Sequence, residues 1–152
     1  MAARRTVDPW IPLVIAAALL ALVALATALG LAHRRATGRA RSTASLERID
    51  PSGLVDGALL GGAATVVQFS TEFCTRCPAV RRMLADVARE RPGVVHLDVD
   101  LTHRADLADR FRVRRTPTLL VLDADGIARS RIGGAPTRAV VLDELDELET
   151  AR

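Results

Sequence analysis

The two cysteines of this 152-residue chain, Cys74 and Cys77, are separated by only two residues. Residues 65–70 before them are largely β-branched or aromatic and predict a strand buried on both faces, whereas residues 79–91 have the apolar spacing of an amphipathic helix. Two cysteines at this spacing between a strand and a helix are typical of a dithiol that forms and breaks a disulfide. Because two cysteines are too few for a disulfide scaffold, a catalytic role is favoured over a structural one.

The surroundings of this pair favour Cys74 as the attacking thiolate. A free thiol with a pKa of about 8.5 is mostly protonated at neutral pH, and the start of a helix together with the cation of Arg76 stabilises the ionised form. Cys77, one helical turn further on, would then resolve the mixed disulfide between Cys74 and a substrate. Pro78 has no backbone N–H, so we expect the carbonyl of Cys74 to lack a hydrogen-bond donor.

A long apolar segment precedes the cysteines. Residues 11–32 carry no charge and one hydroxyl side chain, Thr27, and at about 1.5 Å per residue they can cross a bilayer core of about 30 Å. We therefore expect a single N-terminal transmembrane helix. The segment is longer than the core of a signal peptide, which is about 7–15 residues, but small residues near its end also permit cleavage there, namely Ala26, Ala28 and Gly30.

Arginines flank the apolar segment unequally. Two lie in a short tail over residues 1–10, whereas four lie in a basic linker predicted over residues 33–46. The positive-inside bias therefore predicts that the chain beyond the helix faces the cytoplasm, with an extracytoplasmic domain as the alternative. The same arginines are suited to contact the anionic head groups of the lipid bilayer.

The remaining charge argues against nucleic acid as a partner. Residues 49–152 hold fourteen Arg against sixteen Asp and Glu, so the net charge of +3 comes from the residues around the apolar segment. A nucleic-acid-binding domain would carry its excess of cations on the folded part of the chain.

Residues 47–152 predict one α/β domain with a central mixed sheet flanked by helices. Their patterns give the order α, β, α, β, α, β, β, α, in which the first helix is a weak one over residues 54–60. The last two strands form a hairpin through a turn in which Gly126 takes a positive φ. A further short strand near residues 46–49 fits the same sheet.

Taken together, these elements resemble thioredoxin over about residues 47–150. The similarity rests on a strand followed by Cys-x-x-Cys at residues 74–77 and a helix. It continues with Thr-Pro-Thr at residues 116–118, a hairpin, and Gly-Gly at residues 133–134 before the last helix. The combination is far more specific than Cys-x-x-Cys alone.

The resemblance implies the thioredoxin fold and a protein-disulfide oxidoreductase that needs no bound cofactor. It implies that Pro117 is cis and packs beside Cys74, and that Thr116 offers its backbone to an extended substrate, with Phe73 beside the same site. The implied partners are protein disulfides and dithiols, and an electron donor such as a thioredoxin reductase or a membrane thiol carrier.

Several residues depart from the family's pattern. Phe73 replaces the usual Trp, and Thr-Arg at residues 75–76 replaces Gly-Pro. Gln68 replaces the buried acid that assists the second thiol, so we expect slower release of the mixed disulfide unless water or His96, which lies about where thioredoxin has a buried lysine, takes over. We expect Gln68, His96 and Arg76 to tune the cysteines, and Arg76 to make the pair more oxidising.

Two other functions fit parts of the sequence. A redox-inert interaction domain would keep the fold as a scaffold, but the presence of both cysteines and the Thr-Pro motif argues against it. A metal-binding module would use Cys74, Cys77, His96 and His103, but the two histidines are spaced by seven, outside the usual range of zinc fingers.

Overall fold

A computed structural model describes residues 10–36, 40–42 and 48–151 of the chain. The predicted tail lies outside the described residues except for its last position. Residues 37–39 and 43–46 of the predicted linker, and residue 47 at the start of the predicted domain, also lie outside the described residues. The chain divides into two units, an N-terminal unit that ends at Ala36 and an α/β unit that contains all the other elements.

The N-terminal unit consists of helix α1, which spans Trp10–Ala36. Its segment Trp10–Gly30 has a mean hydropathy of 2.6 and is not buried, and it is the one helix in the described part of the chain that is long and apolar enough to cross a membrane. Thr27 Oγ1 donates a hydrogen bond to the carbonyl oxygen of Val23 at 2.8 Å. The hydroxyl is thus satisfied within the helix.

The α/β unit is built on a five-stranded sheet with the order β1-β5-β4-β2-β3. The strands are β1 (Ala40–Ser42), β2 (Ala64–Ser70), β3 (Val94–Asp100), β4 (Thr118–Asp123) and β5 (Ala128–Gly133). β2 and β3 are parallel and the other neighbours are antiparallel, which confirms the prediction of a mixed sheet. Every residue of β2 is buried, because helices cover both faces of the sheet at this strand.

The described residues of this unit also form three α-helices. α2 (Cys77–Glu90) and α4 (Arg138–Thr150) pack on one face of the sheet, and α3 (Ala105–Arg110) packs on the other. The apolar spacing that predicted α2 is confirmed by the side chains it buries, Val80, Leu84 and Val87. This packing fixes the start of α2, and with it the cysteines, against the end of β2.

The helix predicted over residues 54–60 is wrong. A 3-10 turn at Pro51–Gly53 ends at Leu54, and Gly57 then takes a φ of 71°, which a continuing helix cannot accommodate. Leu54 is 7% exposed whereas Leu59 is 77% exposed. Of these two leucines, only Leu54 packs in the core. The segment therefore lacks the apolar stripe that would hold a helix against the sheet.

Part of the predicted linker belongs to the sheet. β1 pairs with β5, with Ala40 opposite Ile132. A further strand is expected near residues 46–49; of these, the described residues 48 and 49 show a single bridge, between Arg48 and Ile127. Backbone pairing at a sheet edge needs no apolar side chains, which explains why the composition of this segment did not predict a strand.

Candidate active site

The two cysteines lie where β2 ends and α2 begins. The Cys74 N–H donates to the carbonyl of Thr71 at 3.1 Å, and the Cys77 N–H donates to the carbonyl of Cys74 at 3.2 Å. The expectation that the Cys74 carbonyl lacks a donor is therefore wrong, because the residue before Pro78 reaches it. Cys77 is the first residue of α2, and Cys74 lies in the preceding turn.

Cys74 and Cys77 are joined by a disulfide, and their Cα atoms are 5.4 Å apart. Cys77 is 1% exposed, whereas Cys74 is only partly buried. Another thiol or disulfide therefore reaches Cys74 first.

The side chain of Arg76, the N-cap residue of α2, is exposed and makes no capping hydrogen bond, and the first turn of α2 contains no acid. The positive end of this helix is thus left to act on the cysteine turn.

Pro117 lies beside the cysteine turn. The Thr116–Pro117 peptide bond is cis, which confirms what the resemblance implied. Pro117 and Cys74 line the same open groove, which has a volume of about 470 Å³. The loops after β2, before β4 and after β5 supply the rest of its wall, including Phe73, Arg76, Arg115, Thr116, Gly134 and Ala135.

Hydrogen bonds join the Thr116–Pro117 loop to its neighbours. The Oγ1 atoms of Thr71 and Thr116 are 3.2 Å apart, and the Gly134 N–H donates to the carbonyl of Pro117 at 2.8 Å. The backbone N–H and C=O of Thr116 make no hydrogen bond with another described residue, so an extended chain in the groove could pair with them. Phe73 stands at the rim of the groove and is 82% exposed.

Gln68 lies behind the cysteines and is fully buried. Its Nε2 donates to the carbonyl oxygen of Cys77 at 3.2 Å, while its Oε1 has no partner in the described part of the chain. The position therefore supports the backbone of Cys77, but it offers no group that exchanges a proton with the Cys77 thiol.

A carboxylate that is absent from the predicted site residues lies next to Gln68. Asp98 is the register partner of Gln68 in β3, and it accepts a hydrogen bond from Ser70 Oγ at 2.8 Å and pairs with Arg81. Only the register between the parallel strands β2 and β3 identifies Asp98 as the neighbour of Gln68. That register depends on how both strands pack against α2, which the sequence does not show.

His96 lies two register pairs from Asp98, opposite Val66 and on the same face of the sheet. Its Nε2 is buried without a hydrogen-bond partner among the described residues. Burial lowers the pKa of His96 below 6.5, with Asp98 opposing and Arg81 reinforcing the shift. The imidazole makes no hydrogen bond to either cysteine, so any influence of His96 on the described disulfide is indirect.

The four residues of the metal-binding alternative are not brought together. His103 is exposed in the loop after β3, and residues 10–36, 40–42 and 48–151 contain no group of three His, Cys, Asp or Glu side chains placed to hold a metal ion.

The site is therefore an accessible cysteine and a buried cysteine, joined as a disulfide, beside a cis-proline groove on a mixed α/β sheet. This is the arrangement of a protein that exchanges thiols and disulfides. Residues 59–147 match the family model described as thioredoxin. The chain belongs to the thioredoxin family.

Curated relatives agree with this assignment. A thioredoxin H-type of Oryza sativa subsp. indica is 28% identical over 74 residues, which cover 49% of this chain and 60% of that protein. A putative thioredoxin H10 of Arabidopsis thaliana is 30% identical over 76 residues, which cover 50% of this chain and 49% of that protein. The chain thus spans about half to three fifths of the length of these relatives.

Solved structures support the fold. The short form of thioredoxin f from spinach chloroplast aligns with a TM-score of 0.51 and 22% identity, covering 59% of this chain and 79% of that chain. Mitochondrial thioredoxin 3 from Saccharomyces cerevisiae, in its oxidised form, aligns with a TM-score of 0.50 and 21% identity, covering 57% and 79% of the two chains.

Proposed function

We propose that this protein is a membrane-tethered thiol–disulfide oxidoreductase that acts on protein disulfides through Cys74 and Cys77. The observation that carries the proposal is the difference in burial between the two cysteines, with the accessible one facing the groove of Pro117. A redox-inert scaffold would have no need for such a pair in such a groove.

Cys74 is the nucleophile in this mechanism. Its thiolate attacks one sulfur of the substrate disulfide, and the other substrate sulfur leaves as a thiolate. Arg76 and the start of α2 stabilise the Cys74 thiolate, because both present positive charge to it. Cys77 then attacks the Cys74 sulfur, which releases the substrate as a dithiol and leaves the protein oxidised.

The groove holds the substrate during these steps. The free backbone groups of Thr116 pair with an extended segment, as in the addition of a strand to a sheet edge. Pro117 and Phe73, which line the same groove as Cys74, supply apolar contacts to the substrate. Gln68 and His96 act only indirectly, through the environment of Cys77 and the neighbouring strand.

Helix α1 is the proposed tether to the lipid bilayer, supported by its length and its apolar composition. The excess of arginines after the helix favours a cytoplasmic domain. There it would work as a reductant of disulfides near the membrane, supplied with electrons by a thioredoxin reductase or a membrane thiol carrier. A reporter fused to the C-terminus and read on both sides of the membrane tests this orientation.

Reduction of insulin by dithiothreitol tests the activity. The wild-type chain should accelerate it, Cys74→Ser should abolish the acceleration, and Cys77→Ser should accumulate a mixed disulfide visible by non-reducing electrophoresis. Equal rates with wild type and Cys74→Ser would support the redox-inert scaffold instead. Zinc bound by the reduced wild type and lost in Cys74→Ser would support the metal-binding module.

A further inference from the structure

We propose that the groove beside Cys74 prefers protein disulfides that are flanked by acidic side chains. The inference rests on the proposed exchange activity and adds the chemical class of its substrate. Two guanidinium groups line the groove, those of Arg76 and Arg115, and its described lining residues include no carboxylate.

Neither guanidinium is neutralised within the described residues. Other arginines of the α/β unit, such as Arg81 and Arg138, pair with acidic side chains, whereas Arg76 and Arg115 are exposed and form no ion pair there. Arg115 lies against the end of β5, since a Cβ built on Gly133 would be 3.7 Å from its Nε. Both cations are therefore available to a ligand in the groove.

This positive charge is local. The α/β unit, residues 37–152, holds seventeen Arg and seventeen Asp or Glu, so it carries no net formal charge as a whole. The acidic residue nearest in sequence to Cys74 is Glu72. It is exposed and lies outside the lining of the groove, and its backbone N–H donates to Thr102 Oγ1 at 3.0 Å. A cationic groove on a domain without net charge concentrates anionic ligands at the cysteine turn.

The shape of the groove points to an extended polypeptide as the ligand. A second hollow of about 310 Å³ adjoins the groove through Arg76 and Ala135, and Met83 and Pro136 make it largely apolar. A segment lying across both can place a carboxylate on a guanidinium, which binds carboxylates with two parallel hydrogen bonds, and an apolar side chain in the hollow. The occupant is therefore a substrate segment with Asp or Glu close to its disulfide.

The guanidinium groups also act during the exchange step. Attack by the Cys74 thiolate on an acidic segment would otherwise bring like charges together. Arg76 and Arg115 offset this repulsion while the new sulfur–sulfur bond forms and the departing substrate sulfur takes the electron pair. Over both steps the substrate gains two electrons and two protons, which the Cys74 and Cys77 dithiol supplies.

Three peptides test the proposal. Each contains the same pair of disulfide-linked cysteines, flanked by Asp, Asn or Lys. The reduced full-length chain in non-ionic detergent is mixed with each peptide, and the rate constant of the first exchange is measured by stopped flow at about 0.01 M and about 1 M salt, where the Debye lengths are about 30 Å and about 3 Å. We expect the acidic peptide to react at least about tenfold faster than the basic one at low salt. At high salt the two rate constants should be nearly equal.

Substitutions locate the effect. Arg76→Gln and Arg115→Gln should each lower the ratio of the acidic to the basic rate constant by about threefold. The ratio is the readout because a change in the reactivity of Cys74 affects both peptides alike. Arg89→Gln, at the far end of α2, removes the same charge and should leave the ratio unchanged.

Equal rates for the three peptides at low salt would overturn the preference and leave the exchange function standing. An equal loss in Arg89→Gln would overturn the assignment to the groove, because net charge would then be the cause. If even the neutral peptide is not reduced, the proposed exchange function itself fails.

Discussion

The side-chain amide of Gln68 donates a hydrogen bond to the carbonyl oxygen of Cys77 at 3.2 Å, and both residues are almost completely buried. An amide holds the backbone in this way but takes no proton from a thiol. A carboxyl group of the same size would have its pKa raised by burial and could accept the Cys77 proton.

We therefore expect Gln68→Glu to accelerate the step in which Cys77 attacks the mixed disulfide. General-base assistance is worth roughly 10²–10⁴-fold in favourable cases, and we expect at least about tenfold here. Single-turnover release of a chromophoric thiol from the mixed disulfide measures the rate. Gln68→Leu is the matched control and should not accelerate release, so equal rates in the two variants would count against a proton-transfer role.

The half-buried imidazole of His96 makes stability depend on pH in a defined direction. Well above pH 6.5 the ring is neutral in both the folded and the unfolded chain. As the pH falls below that value, the unfolded chain takes up the proton first, because burial lowers the pKa of His96 in the folded state. The free energy of unfolding must then decrease as the pH falls, until the pH reaches the folded pKa.

We expect the wild type to lose more stability than His96→Asn between about pH 7.5 and pH 5.5, by up to about 1.4 kcal/mol for each pH unit below 6.5. Urea unfolding of the full chain in non-ionic detergent measures the difference. His103→Asn changes an exposed histidine and should follow the wild type. A His96→Asn variant that tracks the wild type at every pH would contradict the prediction.

The charge of Arg76 should be visible in the reduction potential. A cation that stabilises the Cys74 thiolate favours the reduced protein and raises the potential above the value of about −270 mV that is typical of thioredoxin. If Arg76→Ala raises the pKa of Cys74 by one unit, the potential falls by about 30 mV. Equilibration with glutathione buffers measures both proteins.

Arg82→Ala serves as the control for this measurement, because Arg82 is exposed on α2, six residues beyond Arg76. Its potential should equal that of the wild type. A wild-type potential at or below about −270 mV would refute the role of Arg76.

A side chain at Gly126 should destabilise the fold. Its φ is 79°, and a Cβ built on it would lie 2.8 Å from the carbonyl oxygen of Ile49. Gly126→Ala should therefore cost about 1–3 kcal/mol, or several degrees in Tm. Gly53 has open space around its Cβ position, so Gly53→Ala should change the free energy of unfolding by no more than about 0.5 kcal/mol. Thermal unfolding followed by circular dichroism measures both variants.

The core elements could be predicted because burial leaves a periodic pattern in the sequence. β2 and α2 are confirmed within two residues at each end, since one is apolar throughout and the other repeats its apolar residues at helical spacing. The cis peptide at Pro117 is confirmed as well, but through the resemblance to thioredoxin and not through any pattern of its own.

Features that depend on the meeting of distant segments could not be predicted. Arg115 lines the groove only because the loop before β4 folds over the end of β5. Asp98 lies beside Gln68 only through the register of two parallel strands. In both cases the sequence carries the residue but no local signal of its neighbour.

The short strand β1 has a consequence for self-association. The edge strand of a sheet presents unpaired backbone N–H and C=O groups, and a strand of another chain can pair with them. Such pairing leads to aggregation. β1 occupies the outer side of β5, and the opposite edge, β3, carries the carboxylates of Asp98 and Asp100. One border of the sheet is thus reduced to a strand of three residues, and the other carries charge; both features oppose pairing with another chain.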